Sequence, residues 1–465
     1  MSKVIGIDLG TTFSAIASLD DLGNPEVLAS IEDNRKITAS AVYLKDNEVI
    51  VGDKALNYLK DQSNNVILQT KREMENDVVY STDEGKWVTD KDLVDAYTPA
   101  QVSSLILKKL KEYTSDVKKV VITVPAMFAE KARQATLDAA KIADLEVIEL
   151  INEPTAAVLH YASLPGVEVG GRVMIFDLGG GTFDVTFAEV KNKKVDVMTS
   201  RGDKYLGGRD FDKEITKLMK KKYFDVHNVE IDIENNKEYI HKAEEVKKIL
   251  SVKDKANIEI TGPKGPQKIE ITQEEFEESI QTYIEKIKML IEEAMEASGM
   301  NPSRINQTLL VGGSTRMPII TKVLTQMMGK PPVKGVNVDE AVVCGAAIYA
   351  GLKTEKETLS DQQQEALKEV NLTDVCNFYM GTLAYVTDSH TGRRVVANTI
   401  IIERDTKLPV SVTKRYTTIS EGQEELECNV TQSEGPEDNK EFVNIIHEEM
   451  LKLPKGRPAN QPIDI

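Results

Sequence analysis

Cysteine is scarce: Cys344, Cys376 and Cys428 are the only three in 465 residues, and none are closely spaced. That excludes a disulfide-stapled scaffold and a cysteine zinc site, and it fits a reducing compartment. Histidine is equally thin, with five residues (160, 227, 241, 390 and 447) too scattered to form a ligand pair. Positive charge is in deficit, since 58 Lys and Arg face 75 Asp and Glu for a formal net charge of −17. General nucleic-acid binders need a basic surface, so no nucleic-acid partner is expected. Runs such as Lys220-Lys221-Lys222 read as solvated helix faces. No apolar run is long enough to span a bilayer, and Met1-Ser2-Lys3 leads straight into a strand with no signal-peptide pattern. The expectation is a soluble, cytoplasmic chain without a membrane partner, long enough for two or three domains. Also missing are a G-x-x-x-x-G-K-[ST] loop, a G-x-G-x-x-G turn and a G-x-S-x-G elbow.

What is present begins with Asp177-Leu178-Gly179-Gly180-Gly181-Thr182-Phe183-Asp184. An apolar run (Val173–Phe176) precedes it and an alternating run (Val185–Ala188) follows, the pattern of a hairpin with a glycine turn. Three bare amides after a carboxylate suit a phosphate–metal complex: amides cradle phosphate oxygens, Thr182 adds a hydroxyl, and Asp177 faces the cation. The bland alternative is a tight turn with solvated acids. Against it, the N-terminus repeats the layout in Val4-Ile5-Gly6-Ile7-Asp8-Leu9-Gly10-Thr11-Thr12-Phe13. Two copies of one unit suggest a duplicated fold that grips a polyphosphate from both sides.

Along the chain, residues 1–45 read as strands, with a hairpin partner at Ala15–Ser18, and a polar lobe is inserted at about 36–95. Within that lobe Lys71, taken by itself, reads as a surface lysine. Helices are expected at Pro99–Tyr113 and Lys131–Ala143, the second carrying Arg133. Val120–Val124 is a buried strand ended by Pro125, and Val147–Asn152 is a strand that puts Glu153 at a strand-to-helix junction. Gly207-Gly208 sit in a loop feeding a second inserted lobe, at about 207–289, with short strands at Asn257–Ile260 and Lys268–Ile271. Thr272 and Glu275 cap one long helix whose apolar stripe ends at Gly299. Leu309–Pro318 is a third strand–glycine–helix junction; Gly312 and Gly313 allow close approach to a ribose or ring, and Arg316 can stack on a base. A helix over Ala341–Gly351 follows. Beyond Thr373, short β-rich runs (384–387, 394–402, 410–412 and 426–430) mark a separate β domain.

With no P-loop, the phosphate grip must come from the two glycine turns. Asp8 and Asp177 can hold Mg²⁺ through water, Thr11 and Thr182 can donate to phosphates, and either Glu153 or Lys71 can orient a water. The residues thus point to ATP binding with cleavage. They leave the acceptor open between water and a kinase substrate on the same ATPase fold.

Gly6–Thr12, Ile151–Ala157, Asp177–Thr182 and Val311–Pro318 together resemble the seventy-kilodalton heat-shock (DnaK-type) chaperones over essentially the whole chain. The tail, with Leu372–Cys376 and Ile401–Thr406, looks most like the bacterial HscC-like branch. The resemblance implies an α/β actin/hexokinase-type (ribonuclease H-like) ATPase domain of two lobes at 1–353, a linker at 354–375 and a partial all-β peptide-binding sandwich at 376–465. The family's helical lid and last strands have no counterpart, so a C-terminally shortened chain is implied. Lys71 would position the attacking water, with Glu153, Asp177 and Thr182 around the γ-phosphate. Asp8, Asp177 and Asp184 would serve Mg²⁺ and K⁺. Gly10, Thr11, Thr12, Phe13, Gly179, Gly180, Gly181, Gly207 and Gly208 would line the phosphates. Glu244, Lys247, Lys248 and Ser251, with Gly312, Gly313, Ser314, Arg316 and Asp339, would clamp adenosine. Pro125 and Arg133 would relay nucleotide state to the linker, and Ile419 and Leu426 would line a peptide pocket. Asn398 falls where the family has an apolar arch residue. Implied partners are unfolded or extended apolar polypeptides, a J-domain co-chaperone and a nucleotide exchange factor.

Overall fold

The computed structural model describes residues 5–46, 48–90, 92–93, 96–115, 117, 119–164, 171–333, 337–387 and 392–465. Met1–Lys3 and Val4, named above, lie outside these. In the first lobe, β1 (Ile5–Asp8), β2 (Phe13–Leu19), β3 (Pro25–Val27), β4 (Lys119–Val124) and β5 (Glu146–Asn152) form one sheet in the order β5-β4-β1-β2-β3. The β1–β2 pair is an antiparallel hairpin, and β4 runs parallel to β1 on its other side. The second lobe repeats this plan. Its strands β6 (Gly171–Leu178), β7 (Phe183–Lys191), β8 (Lys194–Asp203), β9 (Gln307–Val311) and β10 (Asn371–Thr373) take the order β9-β6-β7-β8-β10. Here β6–β7 is the hairpin and β9 the parallel neighbour. The duplication legible in the two glycine turns is therefore a duplication of sheets.

The helices of seven or more residues, in chain order, are α1 (Pro99–Lys111), α2 (Glu130–Ile142), α3 (Glu153–Ser163), α4 (Gly208–His227), α5 (Lys237–Leu250), α6 (Gln273–Ser279), α7 (Gln281–Ser298), α8 (Pro318–Met328), α9 (Ala341–Lys353) and α10 (Asp361–Leu367). Thr98 and Gln101 cap α1 reciprocally, which fixes where it starts. Helices α3 and α9 cross at the middle of the molecule. Residues 341–351 of α9 are all buried, as a helix apolar on every side must be. The crossing is tight enough that a Cβ on Gly345 would lie 1.8 Å from the Ala156 carbonyl oxygen. Only glycine lets these two backbones meet.

Three local expectations change. The expected short strands are eight residues each and pair as a hairpin, Lys255–Gly262 with Gly265–Thr272. The long helix after Thr272 is two helices, α6 and α7, parted at Ile280. There the Ser279 hydroxyl donates to the Phe276 carbonyl at 2.8 Å, a side-chain competition that bends helices. Phe276, Ile280 and Ile284 still share one buried cluster, so the apolar stripe survives the break. Residues 410–412 form no strand, and Pro409 before them offers no ladder donor.

Residues 354–375 are ordered against both lobes. Helix α10 packs on the first lobe, where Gln363 donates to the Asp20 carbonyl at 2.9 Å. Strand β10 adds in parallel to β8, with Val195 opposite Leu372. The β-rich region carries β11 (Tyr379–Thr387), β12 (Arg394–Ile402), β13 (Glu425–Ser433) and β14 (Asn444–Lys452) in the order β12-β11-β13-β14. A second, two-stranded sheet pairs Arg415–Thr417 with Pro462–Asp464. This region touches the lobes through polar contacts (Arg201 pairs with Asp405 at 2.9 Å, Asn377 donates to the Ala126 carbonyl at 2.8 Å, and Glu130 N–H donates to Gln432 at 3.0 Å) and through a small apolar cluster of Met127, Ala129 and Phe378. Among the described residues no helix is long and apolar enough to cross a membrane.

Candidate active site

The two glycine turns face one another at the mouths of the two sheets. A Cβ on Gly180 would lie 1.9 Å from Thr12 Oγ1, and one on Gly181 would lie 2.6 Å from Thr11 Oγ1. The glycine backbone of the turn from β6 to β7 thus rests against the Thr11 and Thr12 side chains of the turn from β1 to β2, and a side chain on Gly180 or Gly181 would push the two apart. Beneath and beside them lies a cavity of about 490 Å³. That is room for a nucleotide-sized ligand. Its wall includes Gly10, Thr11, Thr12, Phe13, Gly179, Gly180 and Thr182 from the turns.

The floor is acidic. Asp8, Glu153 and Asp177 line it, with Lys71 beside them, and Asp184 lies just behind. Asp177 and Asp184 are directly opposite on β6 and β7. Like charges across a ladder are destabilising, so this pairing asks for a positive group. Lys71, from the inserted lobe, forms a buried ion pair with Glu153 at the first turn of α3. Among the described residues one ammonium, that of Lys71, faces these four carboxylates.

Burial dominates the protonation of this group. It pushes Asp177 well above the usual carboxylate range, and the charges of Glu153, Asp184 and Asp8 add to it. Burial lifts Asp184 to about 8, Glu153 adding to the rise. Asp8 and Glu153 are raised for the same reason, with Lys71 pulling both back down. Thr123 Oγ1 donates to Asp8 at 2.8 Å, and Ala126 N–H to Asp184 at 3.3 Å. Asp177 Oδ2 and Asp184 Oδ1 are buried with no hydrogen-bond partner among the described residues. Those orphaned oxygens fit a cation. Among the described residues no three Asp, Glu, His or Cys side chains converge closely enough to hold a metal directly. Outer-sphere holding through water matches Mg²⁺, which dehydrates reluctantly.

The far wall is α5 and the third glycine junction. Glu244, Lys247, Lys248 and Ser251 line the cavity from α5; Gly312, Gly313, Ser314, Arg316 and Asp339 line it from the other side. Lys247 pairs with Asp212 at 2.7 Å and donates to the Gly208 carbonyl. Burial raises Asp212 to about 6 against that pairing. Lys248 pairs with Glu244 at 2.7 Å and lies 5.5 Å from the centre of the Phe13 ring. Arg316 is held in a two-pronged pair with Asp339 at 2.8 and 2.7 Å. Gly181, Gly207 and Gly208 are not in the wall; they form the backbone behind it, where Gly208 N–H donates to the Gly179 carbonyl at 3.0 Å.

Arg72 joins the site without any signal in the sequence around it. Its guanidinium donates to the Gly181 carbonyl at 2.9 Å and to both oxygens of Asp210, at 3.1 and 2.5 Å. It ties the first lobe's insertion to the second lobe across the cleft. The partners are 138 residues apart, so no spacing could have announced them. Arg209 and Asp212, also in the wall, were visible only as neighbours of Gly207 and Gly208.

A second chain of contacts leaves the floor. Arg133 donates to Asn152 at 2.6 Å, and Asn152, next to Glu153, donates to Asp374 beside β10 at 3.1 Å. Thr155 reaches the same Asp374 oxygen at 3.1 Å. Pro125 is followed by Ala126, whose N–H holds Asp184 and whose carbonyl takes Asn377. Ile419 and Leu426 are remote from all this: Ile419 is 44 % exposed outside any strand, and Leu426 lies on β13 opposite Leu451. Neither joins a buried apolar cluster. Asn398, by contrast, is buried and fully used, donating to the Glu437 carbonyl at 2.7 Å and accepting from Thr431 at 2.6 Å.

Compared with known proteins, residues 4–459 match the family model described as Hsp70 protein. The chain is also similar to a chaperone protein dnaK of Thalassiosira pseudonana, 34% identical over 490 aligned positions that cover 98% of this chain and 77% of that protein.

Proposed function

Since this chain belongs to the Hsp70 family, we infer that the cavity between its two lobes is where ATP is bound and cleaved. The protein is an ATP-dependent chaperone of actin/hexokinase-like ATPase fold with a β-sandwich for unfolded polypeptides, and it takes ATP or ADP with Mg²⁺. One observation carries the placement: a buried Lys71–Glu153 pair lies beneath two facing glycine–threonine turns.

In this reading the turn amides and the Thr11 and Thr182 hydroxyls hold the phosphate chain from both sides. Asp8 and Asp177 would hold Mg²⁺, whose charge would neutralise the phosphate oxygens, and Asp184 would share K⁺ on the same floor. Phosphoryl transfer with a loose transition state asks for position and charge more than for a base. Lys71, fixed by Glu153, orients the attacking water. The α5 residues with Gly312–Arg316 and Asp339 clamp the adenosine. Residues 1–353 are the ATPase domain, 354–375 the linker and 376–465 the peptide domain, of HscC-like type. Arg133, Asn152 and Asp374, with Pro125 and Ala126, carry nucleotide state to β10 and the sandwich, where Ile419 and Leu426 meet peptide. A J-domain co-chaperone and an exchange factor act on it in the cytoplasm, where its three free thiols stay reduced.

The test is single-turnover ATP cleavage with Mg²⁺ and K⁺ and no added acceptor, comparing the chain with Thr182→Ala. Slow release of orthophosphate that the variant loses supports the placement. Equal rates would remove Thr182 from the phosphate site.

A further inference from the structure

Five cationic side chains line the cavity: Lys71, Arg209, Lys247, Lys248 and Arg316. Four have carboxylate partners, namely Glu153, Asp212, Glu244 and Asp339. Arg209 has none. Among the described residues its guanidinium makes no hydrogen bond or ion pair, and its Nε is buried without a partner. The nearby acids are Asp210, Glu73 and Asp212, of which Asp210 is engaged by Arg72 and Asp212 by Lys247. Its other charged neighbours include Arg72 and Lys213, with the charge of Lys237, at the start of α5, also felt.

The backbone fixes where this unpaired cation stands. Arg209 N–H donates to the Gly180 carbonyl at 2.8 Å, so the residue is anchored to the very turn that faces Thr12. A desolvated guanidinium that bonds to none of the acids around it is unfavourable unless an anion completes it. Its fork geometry suits phosphate oxygens in particular.

We propose that Arg209 is a phosphate-contacting residue of this cavity, adding a guanidinium contact on the nucleotide's di- or triphosphate chain to the amide contacts of the two glycine turns. This rests on the reading of the cavity as the nucleotide site. The contribution scales with phosphate charge, so it distinguishes ADP and ATP from AMP and from adenosine. Because Arg209 pairs with none of the described residues, its removal strands no partner among them.

The experiment is calorimetric titration of the full chain, in Mg²⁺ buffer, with ADP, AMP and adenosine. Arg209→Ala is expected to weaken ADP by about tenfold or more, the scale of one charge-assisted contact. AMP should weaken less and adenosine not at all; Arg209→Lys should recover part of the loss, and added salt should shrink it. Equal weakening of all three ligands would assign Arg209 to wall packing, and no change would make it an idle cation; either overturns the proposal. Gly180→Val separates this from the reading beneath, since its side chain collides with Thr12. If that variant binds ADP normally, the cavity is not the nucleotide site and both ideas fall. If it abolishes ADP binding while Arg209→Ala does nothing, only the proposal fails.

Discussion

Replacing Lys71 by alanine removes the one ammonium among the floor carboxylates. The pair it forms with Glu153 is buried, with side chains 6% and 10% exposed. Breaking such a pair by deleting one partner costs about 3–5 kcal/mol when the remaining charge stays ionised. Here it need not. Burial already raises the Glu153 carboxyl, Lys71 is the chief influence opposing that rise, and Asp8 raises it further. Without Lys71 the carboxyl is pushed further up, so taking a proton relieves part of that cost. The sign follows from linkage: a carboxyl whose folded pKa exceeds its unfolded value contributes stability that is complete below the unfolded pKa and is lost as pH rises through the folded one. Lys71→Ala should therefore stay near wild-type stability at acidic pH and fall behind it as pH rises. Catalysis should suffer at every pH. Loss of one preorganised charge at a transferring phosphoryl group costs about 2–4 kcal/mol of barrier, roughly thirty- to thousandfold in rate. Single-turnover phosphate release measures the rate, calorimetry the ATP affinity and urea unfolding at several pH values the stability. Cleavage within twofold of wild type, or a loss explained wholly by weaker ATP binding, would refute the reasoning.

Arg72→Ala leaves Asp210 buried and unpaired and unties the cleft. It should cost about 3 kcal/mol in urea unfolding and speed ADP release in stopped-flow displacement, and Arg72→Lys should rescue poorly because a lysine cannot make the two-pronged contact. Lys237 donates to the Ser63 and Val66 carbonyls and to Tyr80, and burial holds its pKa down at about 7. A base depressed in the folded state gives stability that is present above its unfolded pKa and lost as pH falls through about 7. The wild-type chain should therefore gain about 2 kcal/mol on Lys237→Met between pH 7 and 9, and a pH-independent difference would count against the depressed value. Asp374→Ala should leave single-turnover cleavage within a few-fold while narrowing the gap between peptide affinities measured in ATP and in ADP. An unchanged gap would take Asp374 out of the coupling path.

The paired glycine turns were legible because they are local demands. A turn pressed against another backbone tolerates no Cβ, and the apolar runs around each turn have the strand period. For the same reason the sequence by itself determined the duplicated plan, the strand-to-helix junction at Glu153 and the all-apolar helix at 341–351. Where two local signals competed, it misjudged: the stripe through Phe276, Ile280 and Ile284 is continuous, yet the backbone breaks at Ile280. Tertiary structure alone decided the partners. Lys71 reads as a surface lysine until the fold buries it on Glu153, 82 residues away. Arg72 has meaning only through Asp210, and Arg209 only through the absence of any such partner among the described residues. The orphaned oxygens of Asp177 and Asp184 likewise exist only because the hairpin sets the two residues face to face out of water. Local sequence fixes backbone conformation and the period of burial. Which charge meets which, and what burial does to its proton, depends on distances that the chain acquires only when it folds.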